Sequence, residues 1–309
     1  MSFPFSWNLV TDFRVMFEFA FMRNAYEAGT IIAVLAGLMG YVVVLRRSAF
    51  AAHAIGHTGF SGAAGAVLIG VNPVYGLLAF TMGGGTAMAL LGRRASTRDI
   101  EIGTVLAFLL GIGLVFLSEY HGYATEAYSI LFGEILGISV AGVWLTVEGA
   151  AISLVVLALI YRPLLFSSLD EEVAEAKGLP MLPINVGFML LLAVAISFAV
   201  QIVGVLLIFA LMVTPAATAV RLTRRPRSAA IVAVLIALAA TWIGLLVSFP
   251  WSFSGQTSTL SNWPVSFYIV AIAFGLYVGV RAASWIAGYV VPRRSPGPGV
   301  DADAEPRSA

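Results

Sequence analysis

Long apolar stretches separated by short polar turns run along most of the chain. A helix that crosses the hydrocarbon core of a bilayer needs about 20 mostly apolar residues. The stretches that suit this length are residues 25–45, 54–71, 74–92, 102–118, 129–160, 184–220, 228–248 and 265–280. The pattern predicts an all-α, polytopic helical membrane protein with no separate soluble domain.

Positive charges lie between these stretches. All but two of the 17 Lys and Arg residues occupy five segments, which are residues 46–47, 93–98, 162–177, 221–227 and 281–307. Basic residues mark the cytoplasmic side of a membrane protein, so these segments are predicted to be cytoplasmic. The turns that contain neither Lys nor Arg are predicted to lie outside the cell, and these are residues 72–75, 119–128 and 250–264.

Two stretches are too long for one crossing, and their flanking charges indicate how often each one crosses. Residues 184–220 have basic residues at both ends and must cross an even number of times, as a hairpin or with a re-entrant segment, breaking near Gln201 and Gly204. Residues 129–160 lead from an outer turn to an inner arginine, which predicts a short broken helix and then one span from about Val140. The total is nine crossings, or eight if one piece is re-entrant, with the C-terminus inside.

The two ends of the chain differ from the apolar body. Residues 1–24 mix charged and aromatic side chains, which favours an interfacial segment over a span. Residues 293–309 are polar, acidic and rich in Pro and Gly, which is typical of a disordered cytoplasmic tail. The transmembrane domain is therefore expected to comprise residues 25–292.

The composition excludes several classes of protein. Of the 309 residues, 60% are apolar and 11% are charged, whereas about 25% are charged in a soluble domain. The single lysine, Lys177, cannot belong to a phosphate-binding G-x-x-x-x-G-K-[ST] loop, so we expect no ATPase activity of that type in this chain. The absence of Cys excludes disulfides and thiolate metal sites. The scattered arginines give no basic face for a nucleic acid.

Two histidines are the leading candidates for a metal site. His53 and His57 are four residues apart and share one face of a helix, so one cation could touch both imidazoles. Alternatively, both side chains only bond to backbone or water near the cytoplasmic end of that helix. Glu134, in the short broken helix, is a candidate third ligand, because an ionisable group inside a span is a functional hypothesis by default. Glu134 could equally pair with a polar neighbour or face a subunit interface. Glu148, which also lies inside a predicted span, is a weaker candidate for a metal ligand.

Residues 164–180, LLFSSLDEEVAEAKGLP, predict a short polar helix on the cytoplasmic side. The signals are an S-x-x-E capping box, acidic residues in the first turn, a basic residue at the end and a Gly-x-Pro stop. Ser168 and Glu171 form the capping box, and Asp170 and Glu172 are the acidic residues of the first turn. Lys177 is the basic residue at the end, and Gly178 and Pro180 form the stop. The segment is either a solvated connector or a docking element through which a partner moves the membrane helices.

Gly204 and Pro215 both interrupt the stretch QIVGVLLIFALMVTPAATAV. Interrupted helices are tolerated in a membrane where they are buried in protein or line a cavity. Both residues are therefore candidates for a helix break that takes part in gating. Alternatively, Pro215 makes an ordinary kink, and Thr214 or Thr218 satisfies the carbonyl that it frees.

Four stretches, in this order along the chain, resemble the ABC-3 family of bacterial metal permeases. They are RRSAFAAHAIGH, LFGEILGIS, SLDEEVAEAKGLP and VGVLLIFALMVTPAATA. The resemblance covers residues 25–290 and implies a fold like that of a type II ABC importer. It implies a homodimer in the bacterial cytoplasmic membrane, a cytoplasmic ATPase subunit docked on each copy, and an extracytoplasmic protein that delivers the metal. No permanently bound cofactor is implied.

The resemblance also assigns roles to residues. It implies that the helix at residues 169–177 is the coupling helix, which occupies a groove of the ATPase, and that His53 and His57 contact the metal. The coupling positions are Asp170, Glu171, Glu172, Ala174, Lys177 and Gly178. The sequence departs from the family at His53, where similar members usually carry Asp.

This departure bears on the transported ion. Imidazole suits zinc and carboxylate suits manganese better, so the expected cargo is zinc, with manganese next. Two alternatives remain. A siderophore or cobalamin importer would need a wide pathway and no paired histidines. A proton-coupled secondary metal transporter would need intramembrane carboxylates and no ATPase partner.

Overall fold

The computed structural model describes residues 14, 16–92, 98–119, 133, 135–223, 225–253 and 263–290, apart from the side chains of 249–253 and 287–290. Over these residues the regular secondary structure consists of helices joined by turns, with no strand, which confirms the predicted all-α class. The helices are α1 (Ala20–Leu45), α2 (Ala49–Leu68), α3 (Pro73–Leu91), α4 (Arg98–Glu119), α5 (Val140–Leu169), α6 (Glu171–Ala176), α7 (Met181–Leu222), α8 (Pro226–Phe253) and α9 (Val265–Val290).

Seven helices in the described part of the chain are long and apolar enough to cross a membrane, namely α1, α3, α4, α5, α7, α8 and α9. The sequence predicts eight or nine crossings, and two helices account for the difference. α2 contains two His, a Thr and a Ser, which lower its hydropathy. α7 has 42 residues, about twice the length that one crossing needs.

α7 is the central helix. It packs against α1, α2, α3, α5, α6, α8 and α9. Its backbone leaves the helical region at Gly204, where φ is 78° and ψ is 163°, a conformation that is accessible essentially only to glycine. The break therefore lies where the sequence predicts it. Pro215, the second predicted interruption, lies within continuous helix, and near it the Thr218 hydroxyl donates to the Thr214 carbonyl at 2.8 Å.

The break at Gly204 folds α7 back on itself. In the first half of α7, Asn185 accepts a hydrogen bond from Arg46, just after α1. In the second half, the Met212 carbonyl lies so close to Gly40 of α1 that a Cβ on Gly40 would overlap it. A straight helix would separate residues 185 and 212 by about 40 Å, whereas positions 40 and 46 are about 9 Å apart along α1. The two halves therefore run in opposite directions, as the flanking charges predict.

α2 lies in the interior of the bundle, enclosed by α3, α4 and α7. The backbones of Gly62 on α2 and Gly76 on α3 are in direct contact, because a Cβ on either residue would overlap the carbonyl of the other. On another side, Gly113 of α4 lies against Ser61. This close packing places the polar side chains of α2 inside the protein rather than toward lipid.

Several helix boundaries differ from the limits of the apolar stretches. α1 begins at Ala20 and α2 at Ala49, each five residues before the apolar stretch starts, whereas α5 begins at the predicted Val140. Helical hydrogen bonds do not require apolar side chains, so a helix continues past the residues that end an apolar stretch. Residues 1–13, the region 120–132 and the tail 293–309 lie outside the described residues.

Candidate functional site

His53 and His57 share one face of α2, as their spacing predicts. Their ring centroids are 4.4 Å apart and the ring planes are inclined by 75°. Both side chains are partly buried, and small residues such as Ala52 and Gly56 surround them along the helix. The structure therefore brings two imidazoles within reach of a single ion.

Phe209 in the second half of α7 covers one side of this histidine pair. Its ring stands edge-on to His53, with the centroids 4.7 Å apart. The pocket beside His53 is too narrow to admit a water molecule, and its lining residues are Ala52, His53, Gly56, Ile196, Val205, Ile208, Phe209 and Met212. Access to His53 from this side requires that the two halves of α7 separate or that Phe209 turns away.

Within the described residues, no group of three or more His, Cys, Asp or Glu side chains forms a metal cluster. Glu134, the predicted third ligand, lies outside the described residues. Its neighbour Gly133 has φ of 72° and packs against the backbone of Val203 and Gly204, at the turn of α7. Glu148 lies on α5 and is exposed on the outer surface of the bundle.

The short helix in the segment 164–180 is present as α6, but its cap differs from the prediction. Asp170 is the N-cap, and its Oδ1 accepts a hydrogen bond from the Val173 amide at 3.0 Å. Ser168, the predicted cap, instead belongs to the last turn of α5, and its hydroxyl donates to the Leu164 carbonyl. A Ser in a helix can bond back to the carbonyl four residues earlier, so α5 continues to Leu169 and the S-x-x-E box does not form.

The C-terminal end of α6 is closed by a Schellman motif. The amide of Leu179 donates to the Ala174 carbonyl at 3.1 Å, and that of Gly178 to the Glu175 carbonyl at 2.8 Å. Gly178 has φ of 83°, which favours glycine and agrees with its predicted role as the stop. Lys177 is the C-cap residue, and its ammonium group lies 5.7 Å from the centroid of the Phe166 ring.

The two faces of α6 have different surroundings. Ala174 is fully buried, so it serves the packing of α6 and cannot contact a partner. Glu171 is half-exposed and pairs with Arg98 of α4, at 3.7 Å between Oε2 and Nη2. The outer surface of α6, which we call the α6 surface, is exposed and acidic. It consists of Glu172, Val173, Glu175 and Ala176.

Arg46, just after α1, joins the segments on both sides of α6. Its Nη1 donates to the Ser167 hydroxyl at 2.8 Å and to the Ser168 hydroxyl at 3.5 Å, and its Nη2 donates to Oδ1 of Asn185. Its Cζ lies 5.0 Å from the centroid of the Phe188 ring. Burial lowers the pKa of the Arg46 guanidinium, and the negative charge of Glu171 opposes that shift.

Sequence reasoning did not identify Arg46 or Phe209 as site residues. Arg46 could be assigned only to the cytoplasmic side, because its partners lie more than 120 residues further along the chain. Phe209 is one of 20 phenylalanines and has no local signal that distinguishes it.

A bundle of span-length helices that contains a partly buried imidazole pair and a capped polar helix is typical of a polytopic membrane transport protein. The family model of the ABC 3 transport family, ABC-3, matches residues 18–291. The chain belongs to this family, and it is an ABC transporter permease.

Individual relatives agree with this assignment. The chain is 33% identical over 237 residues to the "Probable metal transport system membrane protein" of Treponema pallidum, covering 76% of this chain and 88% of the relative. It is 30% identical over 219 residues to "Manganese transport system membrane protein MntC" of Halalkalibacterium halodurans, covering 71% and 75%. The solved structure "PsaBC from Streptococcus pneumoniae in complex with Fab" has a TM-score of 0.75 at 25% identity, covering 88% of this chain and 95% of that one.

Proposed function

We propose that this chain is the membrane permease subunit of a bacterial importer for a divalent transition-metal ion. Two copies form the pathway, a cytoplasmic ATPase subunit docks on the α6 surface of each copy, and an extracytoplasmic binding protein delivers the ion to the outer turns. The C-terminus lies in the cytoplasm. The names of the relatives, which include metal and manganese transport systems, support this proposal.

The observation that best supports the proposal is the partly buried imidazole pair on α2. Imidazole is the commonest metal-binding side chain in proteins, and two rings with centroids 4.4 Å apart can hold one ion between them. Two imidazole ligands leave the other coordination positions of the ion to water or to further protein groups. We propose Glu134 as one of these groups. An incomplete ligand set suits a transit site, because such a site must bind weakly enough to release the ion.

Two observations favour different ions. The relatives named above include a manganese transport protein. In this chain, however, both candidate ligands are imidazoles, which suit zinc better than manganese. We therefore propose that both ions are carried and that His53 shifts the preference toward zinc.

The mechanism links the α6 surface to α2. ATP-driven closure of the partner subunits pushes on Glu172 and its exposed neighbours, and α6 transmits this displacement to α5 and α7, between which it lies. The two halves of α7 meet at Gly204, whose backbone conformation allows them to move as separate units. Movement of the second half carries Phe209 away from His53 and changes the side from which the ion is accessible.

The role of His53 in ion preference is testable by changing imidazole to carboxylate. We expect His53→Asp to lower the ratio of zinc to manganese uptake by about tenfold while uptake of manganese persists, because a carboxylate suits manganese better. The measurement is uptake of each radioactive ion in competition with the other, in cells that lack their own importers. His53→Asn, which has no charge, is the control and should weaken uptake of both ions. An unchanged ratio in His53→Asp would contradict the proposed role of His53.

A further inference from the structure

The turn between α1 and α2 is tight and is held by backbone hydrogen bonds. The amides of Arg46 and Ser48 donate to the carbonyls of Val42 and Val43, at 2.9 Å each, and the Ser48 hydroxyl donates to the Arg46 carbonyl at 3.1 Å. Arg47 has φ of 53°, in the left-handed region that non-glycine residues rarely adopt. Because so few residues connect the helices, the start of α2 must follow any movement of Arg46.

The guanidinium of Arg46 contacts the segments that enter and leave α6. Ser167 and Ser168 lie in the last turn of α5, three and two residues before Asp170, which caps α6. Asn185 and Phe188 lie in the first two turns of α7, on the far side of α6. One side chain therefore binds both flanks of α6 and is covalently continuous with the start of α2.

The chemistry of arginine suits this position. A guanidinium has five N–H donors in a rigid plane, so it can bond to two helices at once while its face lies on an aromatic ring. A lysine ammonium has no planar fork and cannot reproduce this arrangement. Arg98 and Glu171 form a second connection, but their half-exposed ion pair is of the kind that contributes little. Arg46 thus connects both flanks of α6 to the turn that leads into the helix that carries the histidines.

We propose that Arg46 is a positioning residue that transmits displacement of α6 to the histidine pair on α2. This inference rests on the proposed function, because it requires that α6 receives the ATPase. His53 lies four residues, about one helical turn, after the start of α2 at Ala49, so it moves with the start of α2 as part of one rigid element. Arg46 touches neither the ion nor the ATPase, and its role is to convert movement of α6 into a change of access at His53.

The test compares Arg46→Gln with Arg47→Gln in the complete complex, reconstituted in proteoliposomes. Both changes remove one positive charge from the same turn, but Arg47 is exposed. We expect Arg46→Gln to assemble and hydrolyse ATP normally while metal uptake per ATP falls about tenfold, and Arg47→Gln to leave this ratio unchanged. Arg46→Lys should fail to restore the ratio, which separates geometry from charge.

A second variant covers the case in which Arg46→Gln does not fold. The pair Ser167→Ala with Asn185→Ala keeps the charge of Arg46 and removes its closest hydrogen-bond acceptor on each flank of α6, and it should lower uptake per ATP in the same way. A normal ratio in this variant would overturn the inference. The inference would also be overturned if Arg46→Gln lowered ATPase activity and uptake by the same factor. It would be overturned as well if Arg47→Gln lowered uptake per ATP as much as Arg46→Gln does. Absence of ATP-dependent metal uptake by the unmodified complex would instead contradict the proposed function itself.

Discussion

Replacing His53 and His57 together with alanine is expected to reduce metal uptake by about 100-fold or more. The two imidazoles lie one turn apart on α2 in an edge-to-face arrangement, with ring centroids 4.4 Å apart. Within the described residues no other His, Cys, Asp or Glu groups with them into a cluster of three. Losing both therefore removes the ligands on which the proposed site depends. The measurement is ATP-driven uptake of zinc and manganese by the purified complex in proteoliposomes.

The control for this experiment is Thr104→Ala, which truncates an exposed polar side chain on α4 and should leave uptake unchanged. Alanine is a good helix former, so we expect the double variant to retain α2 and to assemble with its partners. Assembly is checked by size-exclusion chromatography and by the rate of ATP hydrolysis. Undiminished uptake by an assembled double variant would show that the ion does not pass through this site.

Glu172→Arg is expected to uncouple the permease from its ATPase and to reduce uptake by about tenfold or more. Glu172 is exposed on the α6 surface, whereas Glu171 pairs with Arg98 and Ala174 is buried. Reversing the charge at the exposed position should repel a partner that is complementary to an acidic surface. The measurement is co-purification of the ATPase subunit together with the ATPase rate that the permease stimulates.

Glu18→Arg is the matched control for Glu172→Arg. Glu18 is also an exposed carboxylate, but it lies before α1, at the opposite end of that helix from residues 46–47, which are predicted to be cytoplasmic. The same reversal of charge at Glu18 should leave ATPase binding and stimulation unchanged. Normal stimulation of the ATPase by the Glu172→Arg variant would contradict the assignment of α6 as the docking helix.

The positions of most of the long helices could be predicted from the sequence because bilayer crossing imposes simple rules. The length of each apolar stretch identifies it as a span, and the basic residues in the turns indicate the direction in which each span crosses the membrane. The basic residues on both sides of residues 184–220 predict an even number of crossings, as a hairpin or with a re-entrant segment. The conformation of Gly204 and the contacts of Gly40 and Asn185 show that α7 folds back on itself. Spacing alone also predicts that His53 and His57 share a face.

Other features depend on contacts between distant parts of the chain. The sequence suggests that Ser168 caps α6, but its hydroxyl bonds to Leu164 and Asp170 is the cap. Local propensity does not decide between two neighbouring polar residues when the preceding helix can continue. Arg46 and Phe209 act through partners on other helices, so only the folded chain shows what each one touches.

The most direct test of the central proposal uses the permease, its ATPase subunit and the metal-loaded binding protein in proteoliposomes. Accumulated zinc and manganese are measured by elemental analysis, with and without ATP on the cytoplasmic side. We expect accumulation that requires ATP and the binding protein and persists without a proton gradient. Accumulation that requires the proton gradient and proceeds without ATP would contradict the importer assignment and indicate a secondary transporter.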